Sequence, residues 1–389
     1  MARAGRLDIK DWVLVIGVCL APMTGLRIWK AGPGEVVCLL YCILNYNLIR
    51  KAKNWNMFTR FWLCFLASIA IGTLVGVLSY PLETIPSDLL TWLYFAIVSV
   101  GIFSIVQQKN AVEVESILTG IVHISPIWFA LLYSFSLLGK KTILGAPIWY
   151  HEVRFSGGGT NPHQVALLLS FCIVAMIWFV IRKTGVWRRL FHLLLTGVSV
   201  FLLVQTKSST AIMATAIGVL IVIWNSIWVN CKNKRKVLSG AIILLFFTFA
   251  LFGRSLFEFI VNWVKSDSNG LDRFILFASF PKAFLKSPVF GLGPGVHALN
   301  GLMEFHNTYL EILAMSGLIG FIIFTVFSIK LFKSTFRSAV SFGVLVSAYC
   351  FGLAGFGARR LVFWAIIVII YIYALKSNEF SEVSEEAFS

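Results

Sequence analysis

Charged side chains are scarce in this sequence. Only 13% of its 389 residues are Asp, Glu, Lys or Arg, and only 17 are acidic. Hydrophobic residues make up 58% of the chain, and the mean hydropathy is +0.86. A soluble domain cannot bury that much apolar surface, whereas a bilayer can. Apolar runs of membrane-spanning length recur along the chain, so the sequence predicts a polytopic membrane protein.

The sequence also lacks the motifs of several enzyme classes. None of the 7 cysteines has a CxxC or a mixed Cys/His metal spacing, and we interpret them as small buried hydrophobes. HExxH motifs, Asp-x-Asp pairs and carboxylate clusters are missing as well, so we predict neither a metal nor a cofactor. The run Gly157-Gly158-Gly159 is not followed by Gly-Lys-Ser/Thr, which excludes a nucleotide P-loop. It leaves either a phosphate nest or a flexible turn before a helix that begins at Asn161-Pro162.

Hydropathy predicts an all-α protein with about twelve transmembrane helices. We expect one transmembrane domain over residues 1–375, with a retained first helix, and an acidic, disordered cytoplasmic tail over 376–389. The predicted spans are 12–29, 35–49, 58–80, 88–107, 115–138, 164–181, 190–205, 209–230, 237–253, 307–330, 338–356 and 361–375.

The distribution of basic residues predicts the orientation. With a cytoplasmic N-terminus, 20 of the 33 lysines and arginines fall on the inside, mostly in short loops. The positive-inside rule therefore places both termini in the cytoplasm. The two long polar loops, about 139–163 and 254–306, then lie outside, where long loops tend to carry function. Because orientation accounts for the net charge of +16, we assign no nucleic-acid partner.

The stretch Phe305-His306-Asn307-Thr308 leads from the second long loop into a hydrophobic helix. Thr308 and Glu311 have the spacing of a capping box, so we expect the helix to begin at Asn307 or Thr308. His306 then lies outside the first turn, near the positive end of the helix dipole, which disfavours an imidazolium. A neutral His306 is a candidate general base, and the alternative is an interfacial polar residue at a helix end.

Several cations remain on the predicted outer face, where orientation gives no reason for them. Lys207 stands where one predicted helix ends and another begins, Arg273 opens an apolar stretch that we predict to be helical, and Arg154 precedes the glycine run. Each either binds an anionic ligand or extends toward water and lipid phosphates. We favour an anionic ligand for Lys207 and Arg273, leave Arg154 open, and favour simple extension toward water for the pair Arg359 and Arg360.

Three segments of the sequence carry a family resemblance: Arg273 followed by the turn Pro288 to Gly295, the run His306-Asn307-Thr308-Tyr309-Leu310-Glu311, and the upstream Arg154 to Gln164. Together they resemble the O-antigen ligase/polymerase superfamily. Gln205-Thr206-Lys207 is similar to a further position of the family, with lysine in place of arginine. The resemblance covers most of the chain and implies a GT-C-like glycosyltransferase with a structured late periplasmic loop.

The resemblance implies metal-independent, inverting glycosyl transfer in the bacterial inner membrane, with the site facing the periplasm. The donor is a glycan on undecaprenyl diphosphate, and the acceptor is a sugar hydroxyl. His306 would be the general base, while Arg273 and Lys207 would hold the diphosphate. We further predict substrate contacts for Arg154, Asn307, Tyr309 and Arg360, with packing favoured for Tyr309. The implied partners are the lipid-linked glycan, the acceptor glycan, the bilayer and a chain-length regulator protein.

Three functions stay open from the sequence. We favour an O-antigen polymerase, because the late loop is short for docking a lipid A core and because Lys207 lacks the bidentate geometry of arginine. The alternative is an O-antigen ligase that transfers the glycan to lipid A core. A lipid-linked glycan flippase or other transporter is a distant third, because it should place ionisable residues within the membrane and show broken helices in symmetric halves.

Overall fold

We describe a computed structural model of the chain. It describes residues 7–27, 31–52, 55–79, 85–182, 185–230, 254, 258, 268–295 and 304–386. Within these ranges the backbone is mostly helical, with 13 α-helices. The helices are α1 (Ile9–Leu20), α2 (Pro33–Leu44), α3 (Tyr46–Lys51), α4 (Met57–Ser79), α5 (Ile85–Val106), α6 (Ala111–Leu137), α7 (Pro162–Ile181), α8 (Val186–Gln205), α9 (Ser209–Asn230), α10 (Ser268–Phe284), α11 (Thr308–Thr335), α12 (Ala339–Gly352) and α13 (Leu361–Glu386).

Seven of the helices in the described ranges are long and apolar enough to cross a membrane. They are α4, α6, α7, α8, α11 and the parts of α5 and α9 over Asp88–Val106 and Ser209–Trp228. Each corresponds to a predicted span, so the helical, polytopic fold is confirmed. The full count of about twelve spans and the cytoplasmic termini stay predictions. The predicted span 237–253 lies outside the described residues.

Helix α13 forms the centre of the bundle. Every residue from Leu361 to Ala374 is buried, and the helix packs against α5, α6, α7, α11 and α12. The sequence explains this position, because the segment carries no charged side chain and is apolar on all sides, as a fully enclosed helix is. The indole ring of Trp62 on α4 lies against that of Trp364 on α13, with the two ring centroids 4.5 Å apart.

The end of α13 differs from the prediction for the tail. The helix continues to Glu386, so its last ten residues are helical where the sequence predicted disorder after Lys376. These residues include four glutamates, which lose little side-chain freedom in a helix. The cytoplasmic position of this end stays a prediction.

The first predicted span, 12–29, is replaced by a shorter helix. Helix α1 ends at Leu20, directly before Ala21-Pro22, and the chain turns into α2 at Gly32. Asp11 of α1 is 3% exposed and accepts a hydrogen bond from the Nζ of Lys109 at 2.9 Å. This buried ion pair ties α1 to the turn that precedes α6, since an unpaired charge at such a site would be strongly destabilising.

Two short hairpins cover the end of the bundle between α6 and α7. Strands β1 (Thr142–Ile143) and β2 (Ala146–Pro147) pair antiparallel, and β3 (Trp149–Tyr150) pairs antiparallel with β4 (Arg154–Phe155). The glycine run follows β4, and its amides donate to Ile148 O, Pro147 O and Ser156 O. The phosphate-nest interpretation is therefore wrong, because hairpin carbonyls already accept from these amides. The predicted helix start is confirmed, since Asn161 caps α7 and Pro162 occupies its first position.

Helix α11 is broken at Gly317, whose φ of 62° and ψ of −165° are not helical. The segment Pro288 to Gly293 lies against the break and completes its hydrogen bonds. Leu292 N and Gly293 N donate to Ala314 O and Met315 O at 2.9 Å each, and Leu318 N donates to Pro288 O at 2.9 Å. Backbone groups at membrane depth need such partners. The Pro288 to Gly293 segment therefore packs against the break and supplies the hydrogen bonds that the helix lacks there.

Candidate functional site

The residues around His306 fix its backbone on both sides. Phe305 is fully buried, and its amide donates to the Glu311 carboxylate at 2.6 Å. On the other side Asn307 caps α11, because its Oδ1 accepts from Tyr309 N at 2.9 Å and from Leu310 N at 3.1 Å. Between them His306 has a φ of 49°, in the left-handed region. A non-glycine residue there is uncommon and is held by its surroundings.

The predicted start of the helix is confirmed, but the predicted capping box is wrong. Asn307, not Thr308, is the cap residue, so Thr308 is the first residue of α11. The Thr308 hydroxyl donates to Gly355 O at 3.0 Å and accepts from Gly357 N at 3.1 Å. Asn307 Nδ2 donates to Leu353 O at 2.7 Å. These hydrogen bonds attach the start of α11 to the turn that follows α12. A capping-box motif describes only neighbouring residues and therefore does not predict such an attachment.

His306 lines a small cavity between this turn and the start of α7. The cavity has a volume of about 10 Å³, room for about one water molecule, and three of its other lining residues are polar: Asn161, His163 and Arg360. The remaining wall is Phe351, Ala354, Gly355 and Phe356. A cation, two imidazoles and an amide thus meet beside aromatic side chains, and together these polar groups can hydrogen-bond a hydroxyl or an anionic oxygen.

Arg360 is the cation of this cavity. Its guanidinium makes no hydrogen bond to any side chain or carbonyl in the ranges that the structure describes. Burial, together with the neighbouring Arg359 and Arg27, lowers the pKa of Arg360 to about 10, and Glu35 offsets part of this shift. The side chain nevertheless stays protonated at neutral pH, so the cavity carries a positive charge beside His306.

Arg359 is an ion-pairing residue. Its Nη2 donates to Asp88 Oδ1 at 2.7 Å, and its Nη1 pairs with the carboxylate of Glu304. The expectation that Arg359 only extends toward water or lipid is therefore wrong. The three side chains are each about a quarter exposed, at 27%, 23% and 30%. Because Glu304 lies two residues before His306, Arg359 connects the histidine segment to α5.

His163 is a site residue that the sequence reasoning missed. It lies in the first turn of α7, and its Nδ1 is 2.8 Å from the Oγ of the buried Ser208. The sequence does contain a signal for His163, namely the helix start at Asn161-Pro162. This start places His163 at the N-terminus of α7, just as the cap Asn307 places His306 at the N-terminus of α11.

Lys207 stands at the predicted helix junction, between α8 and α9, and is exposed. Its φ is 49°, and its carbonyl accepts from Arg154 Nη2 at 3.2 Å. Arg154 Nε also donates to Thr206 O at 3.0 Å, so this arginine holds the turn that presents Lys207. Lys207 does not line the cavity of His306. Its neighbour in the sequence, Ser208, is the hydrogen-bond partner of His163, which does line the cavity.

Arg273 lies on α10, as its sequence setting predicted, but its side chain lies outside the described residues. Two helical turns further along α10, the ring of Phe280 packs edge-on against Phe305, with ring centroids 5.5 Å apart. Helix α10 is therefore in contact with the segment that carries His306. Tyr309 is a packing residue in this structure, because its hydroxyl donates to Tyr349 O at 2.9 Å.

Residues 194–325, about a third of the chain, match the family model described as O-antigen ligase. This match supports the O-antigen ligase/polymerase superfamily. A comparison with curated proteins finds no match. The matched segment includes Lys207, Arg273, His306, Asn307 and Tyr309, whereas Arg154, His163 and Arg360 lie outside it. Among the described residues, no group of three or more His, Cys, Asp and Glu side chains is placed to hold a metal ion.

Proposed function

We propose that this protein is a bacterial inner-membrane glycosyltransferase that moves a glycan from undecaprenyl diphosphate onto a sugar hydroxyl at the periplasmic face. The observation that carries the proposal is the cavity that His306 shares with Arg360. The match to the O-antigen ligase family supports it, because superfamily members are ligases and polymerases of this kind.

In the proposed reaction His306 removes the proton of the acceptor hydroxyl as its oxygen attacks the anomeric carbon. The bond between that carbon and the diphosphate oxygen breaks, and its electron pair leaves with the polyprenyl diphosphate. Attack from the opposite side inverts the anomeric centre. Arg360, together with Lys207 and Arg273, compensates the negative charge that grows on the leaving group. The ion pairs of Arg359 position the histidine segment.

We favour a polymerase, for which the acceptor is a second lipid-linked repeat unit. The match to the O-antigen ligase family model favours the second candidate, an O-antigen ligase acting on lipid A core. Purified protein in liposomes, given a lipid-linked repeat unit with and without lipid A core, tests both. A ladder of products from repeat units alone supports the polymerase. Product that forms only after core is added supports the ligase, and no product in either arm contradicts the glycosyltransferase proposal.

The break in α11 is the feature that a transporter would share, since unwound helices commonly coordinate ions in transporters. Here the carbonyls of Ala314 and Met315 at the break accept from Leu292 N and Gly293 N. The break therefore binds the Pro288 to Gly293 segment, which favours a structural role for the break. Glycosyl transfer remains the better proposal.

A further inference from the structure

A second site candidate is a groove between α4 and the last half of α11. Its floor is a stacked pair of rings, Phe61 and Phe327, whose centroids are 4.0 Å apart at an interplanar angle of 16°. Apolar side chains form the walls, among them Met57, Ile322 and Val326. The groove has a volume of about 460 Å³, within the range of ligand pockets.

Two cations stand at one end of this groove, Arg60 on α4 and Lys330 on α11. Both are exposed, and within the described ranges neither side chain makes a hydrogen bond or an ion pair. Helix α4 has no acidic residue, and α11 has none after Glu311. An unopposed pair of positive charges therefore adjoins a strip of apolar surface, and this combination matches the headgroup and acyl chain of an anionic lipid.

The groove lies on the far side of the protein from the cavity of His306. Lys330 is 22 residues beyond Thr308 on α11, which corresponds to about 33 Å of helix, the thickness of a bilayer core. Trp55 also lines the groove and is 68% exposed, and tryptophan favours the membrane interface. The positive-inside rule predicts that this is the cytoplasmic face, where anionic lipids attract basic residues.

We propose that this groove is a binding site for an anionic glycerophospholipid of the cytoplasmic leaflet. The phosphate lies between Arg60 and Lys330, and one acyl chain lies over Phe61 and Phe327 between α4 and α11. Because acyl chains are as apolar as the groove walls, the chain gains little by leaving the bilayer. The headgroup charge provides the selectivity, and the groove fixes the position of the lipid. The proposal is independent of the glycosyltransferase function.

Native mass spectrometry of the full chain, released from detergent micelles, tests this site with phosphatidylglycerol and with zwitterionic phosphatidylethanolamine as probes. Wild type should retain phosphatidylglycerol, and R60A/K330A should bind it about 10-fold more weakly. The variant R50A/K51A is the matched control, because it removes two exposed basic residues from α3, outside the groove. It should bind phosphatidylglycerol like wild type. Equal losses in the two double variants, or equal retention of both lipids, would overturn the site.

A third variant tests the groove itself. Val326→Trp fills the space between the walls at a residue that is 47% exposed and therefore tolerant of a larger side chain. It should lower phosphatidylglycerol binding as R60A/K330A does, and unchanged binding would show surface attraction without a seated chain. The thermal transition of each variant in the same detergent checks folding. The milder R60Q/K330Q replaces R60A/K330A if the alanine variant is unstable, with the same expected loss.

Discussion

At the scale of single residues, the proposed chemistry depends on His306 accepting a proton. We expect His306→Ala to lower the rate of glycan transfer by at least about 100-fold, because a positioned general base contributes about 10²–10⁴-fold. Donor binding should persist, since Arg360 and Lys207 remain. The measurement is product formation from a lipid-linked repeat unit, with donor affinity determined in parallel.

The control for this variant is His151→Ala. His151 is an exposed imidazole in the turn between β3 and β4, and it does not line the cavity. Its replacement should leave the transfer rate within about 2-fold of wild type. Near-wild-type turnover in His306→Ala would remove the general-base assignment.

Arg360 should act mainly on the donor. Its guanidinium lines the His306 cavity and has no hydrogen-bond partner in the described ranges, so Arg360→Ala removes a charge without breaking a structural bond. We expect donor affinity to fall by about 10-fold or more, as loss of a charge-assisted contact implies. Arg360→Lys should recover part of it, since lysine keeps the charge and loses the bidentate geometry. Lys140→Ala, an exposed cation beyond α6, is the control, and unchanged donor affinity in Arg360→Ala would exclude a diphosphate contact.

Arg359 should act through the position of His306. Removing its guanidinium leaves Asp88 and Glu304 as neighbouring unpaired carboxylates, and the segment before His306 loses its attachment to α5. We expect Arg359→Ala to lower kcat by about 10–100-fold with little change in donor affinity, since small displacements of a catalytic group have effects of that size. Arg182→Ala breaks a half-exposed ion pair with Glu115 and serves as the control. A selective loss of donor affinity in Arg359→Ala would assign Arg359 to substrate binding.

At this scale the sequence predicts residue types better than partners. The helix start at Asn307-Thr308 follows from local composition, and the structure has it at the expected place. The capping box, the role of Arg359 and the contact of His163 with Ser208 depend on residues 45 to 271 positions away in the chain. Local spacing carries no information about such contacts, which arise only when distant helices pack.

At the scale of elements, the break in α11 at Gly317 allows the Pro288 to Gly293 segment to pack against this helix. A Cβ at Gly317 would lie 2.3 Å from Val289 O, and the backbone there has a conformation that is essentially restricted to glycine. We expect Gly317→Ala to destabilise the protein by about 2 kcal/mol or more, because strain and displacement of the Pro288 to Gly293 segment add together. Thermal unfolding in detergent measures this.

Gly197→Ala is the matched control for Gly317→Ala. Gly197 lies inside α8, and a Cβ there would meet no atom within 4 Å. Because alanine is the better helix former, this variant should have an unfolding free energy equal to that of wild type or up to about 1 kcal/mol higher. Equal stability of the two variants would show that the break tolerates a side chain.

Hydropathy predicts the long helices well because a lipid environment permits little except helices across the membrane. It places α4, α6 to α9 and α11 within a few residues of their observed bounds. Hydropathy misses the break at Gly317, because the surrounding residues are apolar throughout and only the docked Pro288 to Gly293 segment makes an unwound turn stable. The shortness of α1 follows from Pro22, a local signal that a window average conceals.

At the scale of the whole molecule, the two proposals together place His306 and the lipid groove on opposite sides of the membrane. Helix α7 offers a direct test of the orientation, because its 20 residues span about 30 Å between the hairpins and the start of α8. Leu144, at the tip of the β1–β2 hairpin, is 88% exposed, and Trp187, in the first turn of α8, is 84% exposed. The proposed orientation therefore predicts that residues at these two positions face different compartments.

We expect Leu144→Cys to react with a membrane-impermeant maleimide in intact spheroplasts, and Trp187→Cys to react only after the membrane is opened. The reason is the charge asymmetry: Arg182, Arg188 and Arg189 stand beside Trp187, and basic loops are retained in the cytoplasm. Cys64 is exposed on the lipid-facing groove, so both variants are made in a Cys64→Ser background, which also provides the unlabelled baseline. The reverse labelling pattern would place His306 in the cytoplasm, where a polymerase or ligase that uses translocated lipid-linked glycans has no substrate.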